Sequence, residues 1–228
     1  YSGSGVWQGV SPGAPFSGLG VNFSNIAGIT LNGPLATESA YLFNGDIINS
    51  NNMQIGSASF SFVQRGGSPS LDAGIFDTYP TITSTANYTL YYYDAVSNIV
   101  TGPEIPAGIN TYRVYCNNAN GVTLASNLGV NNDLQLLKDT FDFGPHTVKI
   151  ANTITLTAGI ANGSEGTLEM TGTSAQTIPN NTFQQNNLKN LVISNTNNAT
   201  GVTLADTLDV YRSVTFGAGG RKLTTGGF

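Results

Sequence analysis

From Gly121 onward, short apolar triplets recur at an almost constant beat: VTL at 122–124, LGV at 128–130, LQL at 134–136, FDF at 141–143, VKI at 148–150 and ITL at 154–156. Their starts are separated by 6, 6, 7, 7 and 6 residues. Each triplet is apolar, then polar or small, then apolar, so its outer two side chains share one face of a strand. Asn, Gly, Asp, Ser, Lys and Pro fill the gaps and suit tight turns. Hairpin strands usually run about 5 to 6 residues, longer than these. Three triplets make one turn: 122 to 141 is 19 residues, 128 to 148 is 20 and 134 to 154 is 20. Each strand then stacks on the strand about 20 residues later. The beat predicts an all-β chain forming a parallel β-solenoid, a β-helix with three short strands per coil, whose core is buried only by stacking. Right-handedness is expected from the general crossover preference. Tandem antiparallel β-sandwich repeats are the alternative.

A longer repeat overlies this beat. GVTLASNLGV (121–130) and GVTLADTLDV (201–210) agree at seven of ten positions, and GITLNGPL (28–35) is a weaker copy. An Asn-rich link precedes each box: VNFSNIA, VYCNNAN and LVISNTNNAT. The implied units lie near 21–104, 105–177 and 178–228, the last incomplete. The stretch near 57–88 loses the six-residue beat after Phe60 and Phe62, and is expected to be an inserted hairpin or large loop. Residues 1–20, rich in Gly, Pro and Ser, are expected to form a cap or linker in which Trp7 and Phe16 need a surface to bury them. The opening YSGSGVW, without Met or signal peptide, and the stop at KLTTGGF inside a repeat suggest a piece of a longer chain.

Composition narrows the function classes. Of 228 residues only 9% are charged, against about 25% in ordinary domains. A surface solvated by Asn, Thr and Ser instead is common outside the cell. A net charge of −5 with eight Lys and Arg argues against nucleic acid, since no basic patch can neutralise a run of phosphates. No apolar run reaches about 18 residues, so no membrane insertion is expected. The one cysteine, Cys116, cannot pair within the chain and is expected to be a buried thiol.

The string TLEMTGTSAQTIPNNTFQQNNLKNLVISNTNNATGVTLADTLDVYRSVTFGAGGRKLTT resembles a repeat of very large secreted proteins of Bacteroidetes. Gly172 to Pro179, Phe183, Leu188 to Ser194, Gly201 to Leu204 and Leu208 to Phe216 carry the resemblance. It is good over about 105–228 and loose over about 20–60. It implies a secreted, cell-surface, adhesin-like protein delivered by the type IX secretion system, and it brings no catalytic motif.

Candidate sites are few. In YTLYYYD (88–94), Tyr91 and Tyr93 share one strand face and Leu90 and Tyr92 the other. If outward and uncovered, Tyr91 and Tyr93 can stack on sugars or a partner; the neighbouring 56–88 stretch is expected to cover them. Thr207, in Asp206-Thr207-Leu208, resembles a Bacteroidetes O-glycosylation signal and should face outward. The close carboxylate pairs Asp139/Asp142, Asp206/Asp209 and Asp72/Asp77 are expected to be solvated. The glycine-rich loop GGSPSLDAGIFD offers Asp72 and Asp77 to a Ca²⁺ ion; no other cofactor is expected. His146, alone after Gly144-Pro145, reads as a turn residue. No catalytic residue is expected. The leading expectation is an extracellular structural or adhesive rod, contacting further repeats of its parent chain or assembling into a filament. A glycan-binding module on Tyr91 and Tyr93 is the second reading, and a β-helix polysaccharide lyase or hydrolase the third.

Overall fold

The computed structural model describes residues 5–7, 16–218 and 221–225, the first of these and 16–19 by backbone alone. It is a parallel β-solenoid with coils of about 21 residues and about 10 turns. The strands are β1 (Gly5–Trp7), β2 (Phe16–Ser24), β3 (Ile29–Leu31), β4 (Leu35–Asn44), β5 (Ile47–Ile48), β6 (Met53–Ile55), β7 (Ser61–Arg65), β8 (Thr81–Ile82), β9 (Tyr88–Tyr93), β10 (Ile99–Val100), β11 (Thr111–Asn117), β12 (Val122–Thr123), β13 (Leu128–Leu136), β14 (Asp139–Asp142), β15 (Thr147–Ile150), β16 (Thr153–Leu156), β17 (Gly159–Met170), β18 (Gln176–Ile178), β19 (Phe183–Ile193), β20 (Val202–Leu204), β21 (Asp209–Phe216) and β22 (Leu223–Thr225). A single 3₁₀ turn, Ser50–Asn52, interrupts them among the described residues.

Every strand pairing among the described residues is parallel, which rules out the antiparallel sandwich. The ladders form three walls. One passes through β10, β12, β14 and the start of β17. A second passes through the start of β13, β15 and the ends of β17, β19 and β21. The third passes through the end of β4, then β7, β9, β11, the end of β13 and β16. Strands β4, β13, β17 and β19 serve two ladders each by continuing around a corner.

Alternation builds the core. Val122, Leu124, Leu128, Val130, Leu134, Leu136, Phe141, Phe143, Val148, Ile150 and Ile154 are all buried, so eleven of the twelve outer triplet residues point inward; Leu156 is half-buried. Stacking in register turns them into columns. Val122, Phe141, Ala161 and Phe183 form one, in which a small residue sits between two large ones. Leu128, Val148, Leu168 and Leu191 form another. On β21 the column positions Val214 and Phe216 are 45% and 50% exposed.

The repeated box is a corner device. Gly28, Gly121 and Gly201 all have positive φ (78°, 81° and 66°), which glycine adopts without steric cost. A Cβ on Gly28 would meet the Asp46 carbonyl at 2.8 Å and one on Gly121 the Thr140 carbonyl at 3.0 Å; on Gly201 it would strike the Lys222 carbonyl. In each case the obstructing carbonyl belongs to the next coil. The Asn-rich links close the turns: Asn25 and Asn118 donate from Nδ2 to the carbonyls of Gly28 and Gly121, at 3.1 and 2.7 Å. Val122 and Val202 nevertheless lie in different ladders, with Phe141 and Leu223 as their respective partners.

The 57–88 stretch, expected to be an inserted hairpin or a large loop, contains a long loop between β7 and β8. It lies in the solenoid path: β7 pairs β4 and β9, Phe76 bridges Ile47, and β8 pairs β6. The beat is lost because the 66–75 loop is long and because the inward positions of β7 are Ser61, Val63 and an arginine. Arg65 stacks between Leu42 and Tyr92 and is 4% exposed. It donates to the carbonyls of Gly74 (2.8 Å) and Val100 (2.7 Å) and pairs with Glu104 at 2.8 Å. Glu104 is fully buried and also accepts from the Gly102 amide and the Tyr92 hydroxyl. Burial, reinforced by the Glu104 carboxylate, pushes the Tyr88 and Tyr92 hydroxyls up, so both remain protonated donors. The cluster fills a region of the core where loop carbonyls would otherwise be left unpaired.

Two outcomes follow. Leu124→Ala should cost about 3 kcal/mol in denaturant melts, and Leu124→Asp should cost more and abolish a single cooperative transition; unchanged melting of the Asp variant would contradict its inward placement. Arg65→Met alone should cost about 3–5 kcal/mol by stranding the Glu104 charge, and Arg65→Met with Glu104→Gln should recover part of that loss in the same melts.

Candidate functional site

The third wall carries an aromatic outer surface. Because β4, β7, β9 and β11 are in register, outward residues line up in rows: Tyr41, Gln64, Tyr91 and Tyr115 in one, and Ser39, Phe62, Thr89 and Arg113 in the next. The inward row beneath is Ala40, Val63, Leu90 and Val114, all buried. The buried row fixes the strands, and the alternation thrusts the aromatics out.

These residues line a shallow cleft of about 540 Å³. Tyr41, Phe60, Phe62, Tyr91, Tyr112 and Tyr115 give it apolar faces, and Ser59, Gln64, Asn87 and Thr89 add polar groups. The rings support one another. Tyr91 meets Tyr115 edge-on at 5.1 Å and stacks on Tyr93 at 5.5 Å; Tyr41 lies 5.5 Å from Phe62, and Phe60 stacks on Phe62 at 6.0 Å. The Tyr91 hydroxyl accepts from Asn117 Nδ2 at 3.0 Å. One rim is tied by Asn87, which donates to the Ser59 carbonyl at 2.8 Å.

Among the described residues, Arg113 is the single charged residue lining the cleft. Its guanidinium lies over the Tyr112 ring, 5.1 Å from the centroid. With the Asn132 carboxamide oriented to satisfy its neighbours, the amide oxygen accepts from Arg113 Nε (3.0 Å), Arg113 Nη2 (3.2 Å) and the Tyr112 hydroxyl (3.1 Å). Asp133, opposite Arg113 in the ladder, accepts instead from Gln135 (2.6 Å) and Thr155 (2.9 Å).

Of the two tyrosines expected as contacts, Tyr91 is in the cleft lining. Tyr93 is outward too, but stacks beside it with Lys138 Nζ 5.9 Å from its ring, where Lys138 pairs with Asp94 at 3.0 Å. The 56–60 loop supplies one wall of the cleft through Ser59 and Phe60 and leaves Tyr91 accessible to it. The other lining residues went unnoticed in the sequence. Their signal was an aromatic at an outward position in successive coils: AYLF, FSFV, TLYYY and TYRVY.

The remaining candidates are dispersed. Thr207 is exposed, and its hydroxyl lies 3.2 Å from Asn186 Nδ2 and 3.4 Å from Asp206. Asp142 accepts from the Gly144 amide at 2.9 Å, and Asp209 is exposed. Asp72 accepts from Ser97 at 2.5 Å, whereas Asp77 accepts from the Asn49 and Ser50 amides (2.8 and 2.9 Å) and the Ser50 hydroxyl (2.7 Å). Asp77 thus caps the 3₁₀ turn, and the two carboxylates expected to share a Ca²⁺ are engaged with different parts of the chain. No group of three or more His, Cys, Asp and Glu suited to a metal gathers among the described residues. His146 follows the Gly144 turn, its amide donating to the Phe143 carbonyl. Burial pushes the Cys116 thiol up, so it stays protonated.

Burial alone would raise Asp77, but the hydrogen bonds from Ser50, Asn49 and Thr78 outweigh it and hold its pKa at about 2, against 3.8 unperturbed. A depressed carboxyl stabilises the fold above its unfolded pKa and loses that contribution as pH falls through the folded one. Wild-type stability should therefore drop between about pH 4 and pH 2, and Asp77→Asn should be less stable at pH 7 with a flatter decline over that window, read from thermal melts against pH.

Compared with protein-family models, with curated proteins and with solved structures, the chain finds no match.

Proposed function

We propose that this chain is an extracellular, adhesive β-solenoid whose contact surface is the aromatic cleft of the third wall, and that it binds carbohydrate without cleaving it. The observation that carries the reading is an outward aromatic ring on each of four successive coils, Tyr41, Tyr91 and Tyr115 in one row and Phe62 in the row beside it, on a rigid ladder. Neighbouring parallel strands lie about 4.8 Å apart, close to the length of one pyranose unit in an extended chain. A glycan laid along the solenoid axis would therefore meet a new side chain at each sugar. Tyrosine rings offer apolar faces to the C–H side of sugars and keep a polar tip for hydroxyls. Gln64, Asn87, Ser59 and Thr89 supply hydrogen-bonding groups for the remainder.

Among the described residues the lining contains no carboxylate and no histidine, so it lacks the paired carboxyl groups that glycoside hydrolysis ordinarily uses. That supports binding over catalysis. The sparse charge and the resemblance to secreted repeat proteins support an extracellular, surface-attached setting, with the stacked coils as a stiff mount for the cleft.

A broad glycan array followed by calorimetry on the hits tests this. Wild type should bind at least one glycan class; Tyr91→Ala and Tyr115→Ala should each weaken it by about 10-fold or more, with far-UV spectra unchanged. Absence of binding across the array, or full affinity in both variants, would refute the reading.

A further inference from the structure

We infer that the ligand of this cleft is an oligosaccharide carrying an isolated carboxylated sugar, a uronate among neutral residues, with its carboxylate on Arg113. The inference rests on the carbohydrate-binding reading and adds the charge of the ligand and the residue that reads it.

The placement of Arg113 argues for it. The chain has eight Lys and Arg, and four of them, Arg65, Lys138, Lys149 and Lys189, are paired with carboxylates. Arg113 makes no ion pair among the described residues, although Asp133 is its neighbour in the ladder; that carboxylate is turned to Gln135 and Thr155. The neutral amide of Asn132 and the Tyr112 ring hold the guanidinium in place without neutralising it. Asn132 takes the Nε–Nη2 edge, which leaves the Nη1–Nη2 edge, with one N–H from each nitrogen, for a planar acceptor. Two parallel N–H groups match a carboxylate better than a lone hydroxyl. Among the described residues no acidic side chain lines the cleft to repel the anion.

The remaining charge sets the number of anions. With a net charge of −5 the protein as a whole repels polyanions, and one guanidinium suits one carboxylate. Beyond about 8 Å at physiological salt the distant acids are largely screened, so the local cation governs a single nearby charge. In the ladder Arg113 is one strand away from Thr89, and it lies two residues before Tyr115 on the same face of β11. A sugar stacked on Tyr115 or Tyr91 thus places a substituent on its own or the next ring within reach of Arg113.

The test uses xylo-, gluco- and galacto-oligosaccharides bearing one uronate, each paired with its carboxyl-reduced counterpart, which keeps the rings and replaces the acid by an alcohol. Calorimetry on wild type should give about 10-fold tighter binding of the acid form in at least one pair. Raising NaCl from 50 to 500 mM should erode that preference and leave the reduced form unaffected. Arg113→Gln should bind the acid form no better than the reduced form; Arg113→Lys should retain part of the preference. Equal wild-type affinity for the two forms, or a salt-insensitive preference, would overturn the uronate inference and leave carbohydrate binding standing. An equal loss of both forms in Arg113→Gln would likewise overturn it. No binding of any pair or of any neutral glycan would overturn both.

Discussion

Almost nothing in this molecule is buried by its own coil. A strand of two to four residues has too little apolar surface to hide, and its inward side chains become core only when the next coil covers them. The parallel ladder, with about 4.8 Å between strands, is therefore the interaction on which the rest depends. It converts a sequence beat of about 20 residues into continuous columns such as Leu128, Val148, Leu168 and Leu191. It also dictates the corners, because each coil must climb by one strand spacing while its carbonyls approach the coil beside it. That is why glycines at 28, 121 and 201 sit against carbonyls of residues 46, 140 and 222.

The same stacking governs two kinds of departure from an apolar core. Arg65 occupies a column position between Leu42 and Tyr92, and its charge is tolerated because Glu104 and two loop carbonyls meet it. Asn118 and Asn195 are fully buried in corners, with Asn118 serving the Ala95 amide and the Ser97 and Gly121 carbonyls. In both cases polar side chains replace the hydrogen bonds that an irregular backbone segment gives up.

How much of this was legible in the sequence depended on how local the signal was. The triplets between 122 and 156 announced strand, alternation and coil length, because each property is set within a few residues. The paired GVTL boxes were legible as a repeat but point to a shared corner, not a shared wall: Val122 and Val202 belong to different ladders. A seven-of-ten match over ten residues records a turn and the strand that leaves it, and does not say which wall that strand joins. The 57–88 stretch was opaque because Arg65 breaks the apolar pattern and its partner lies 39 residues away. The cleft was half visible. Tyr91 stood out within YTLYYYD, whereas Tyr41, Phe62 and Tyr115 become its neighbours only through a register that no single segment contains. Arg113 carried no signal of its own; its significance lies in a missing ion pair.

The Arg65–Glu104 contact joins two consecutive coils from inside. In a solenoid the backbone hydrogen bonds run along the axis, so a pull in that direction loads the interfaces between coils in series, and the weakest one yields first. A buried ionic clasp across one interface makes that step harder to peel than its neighbours. Under tension, coils on either side would detach one at a time while the pair around Arg65 stayed closed, and the cleft, whose floor strands β7 and β9 flank that clasp, would be among the last parts of the surface to lose its shape.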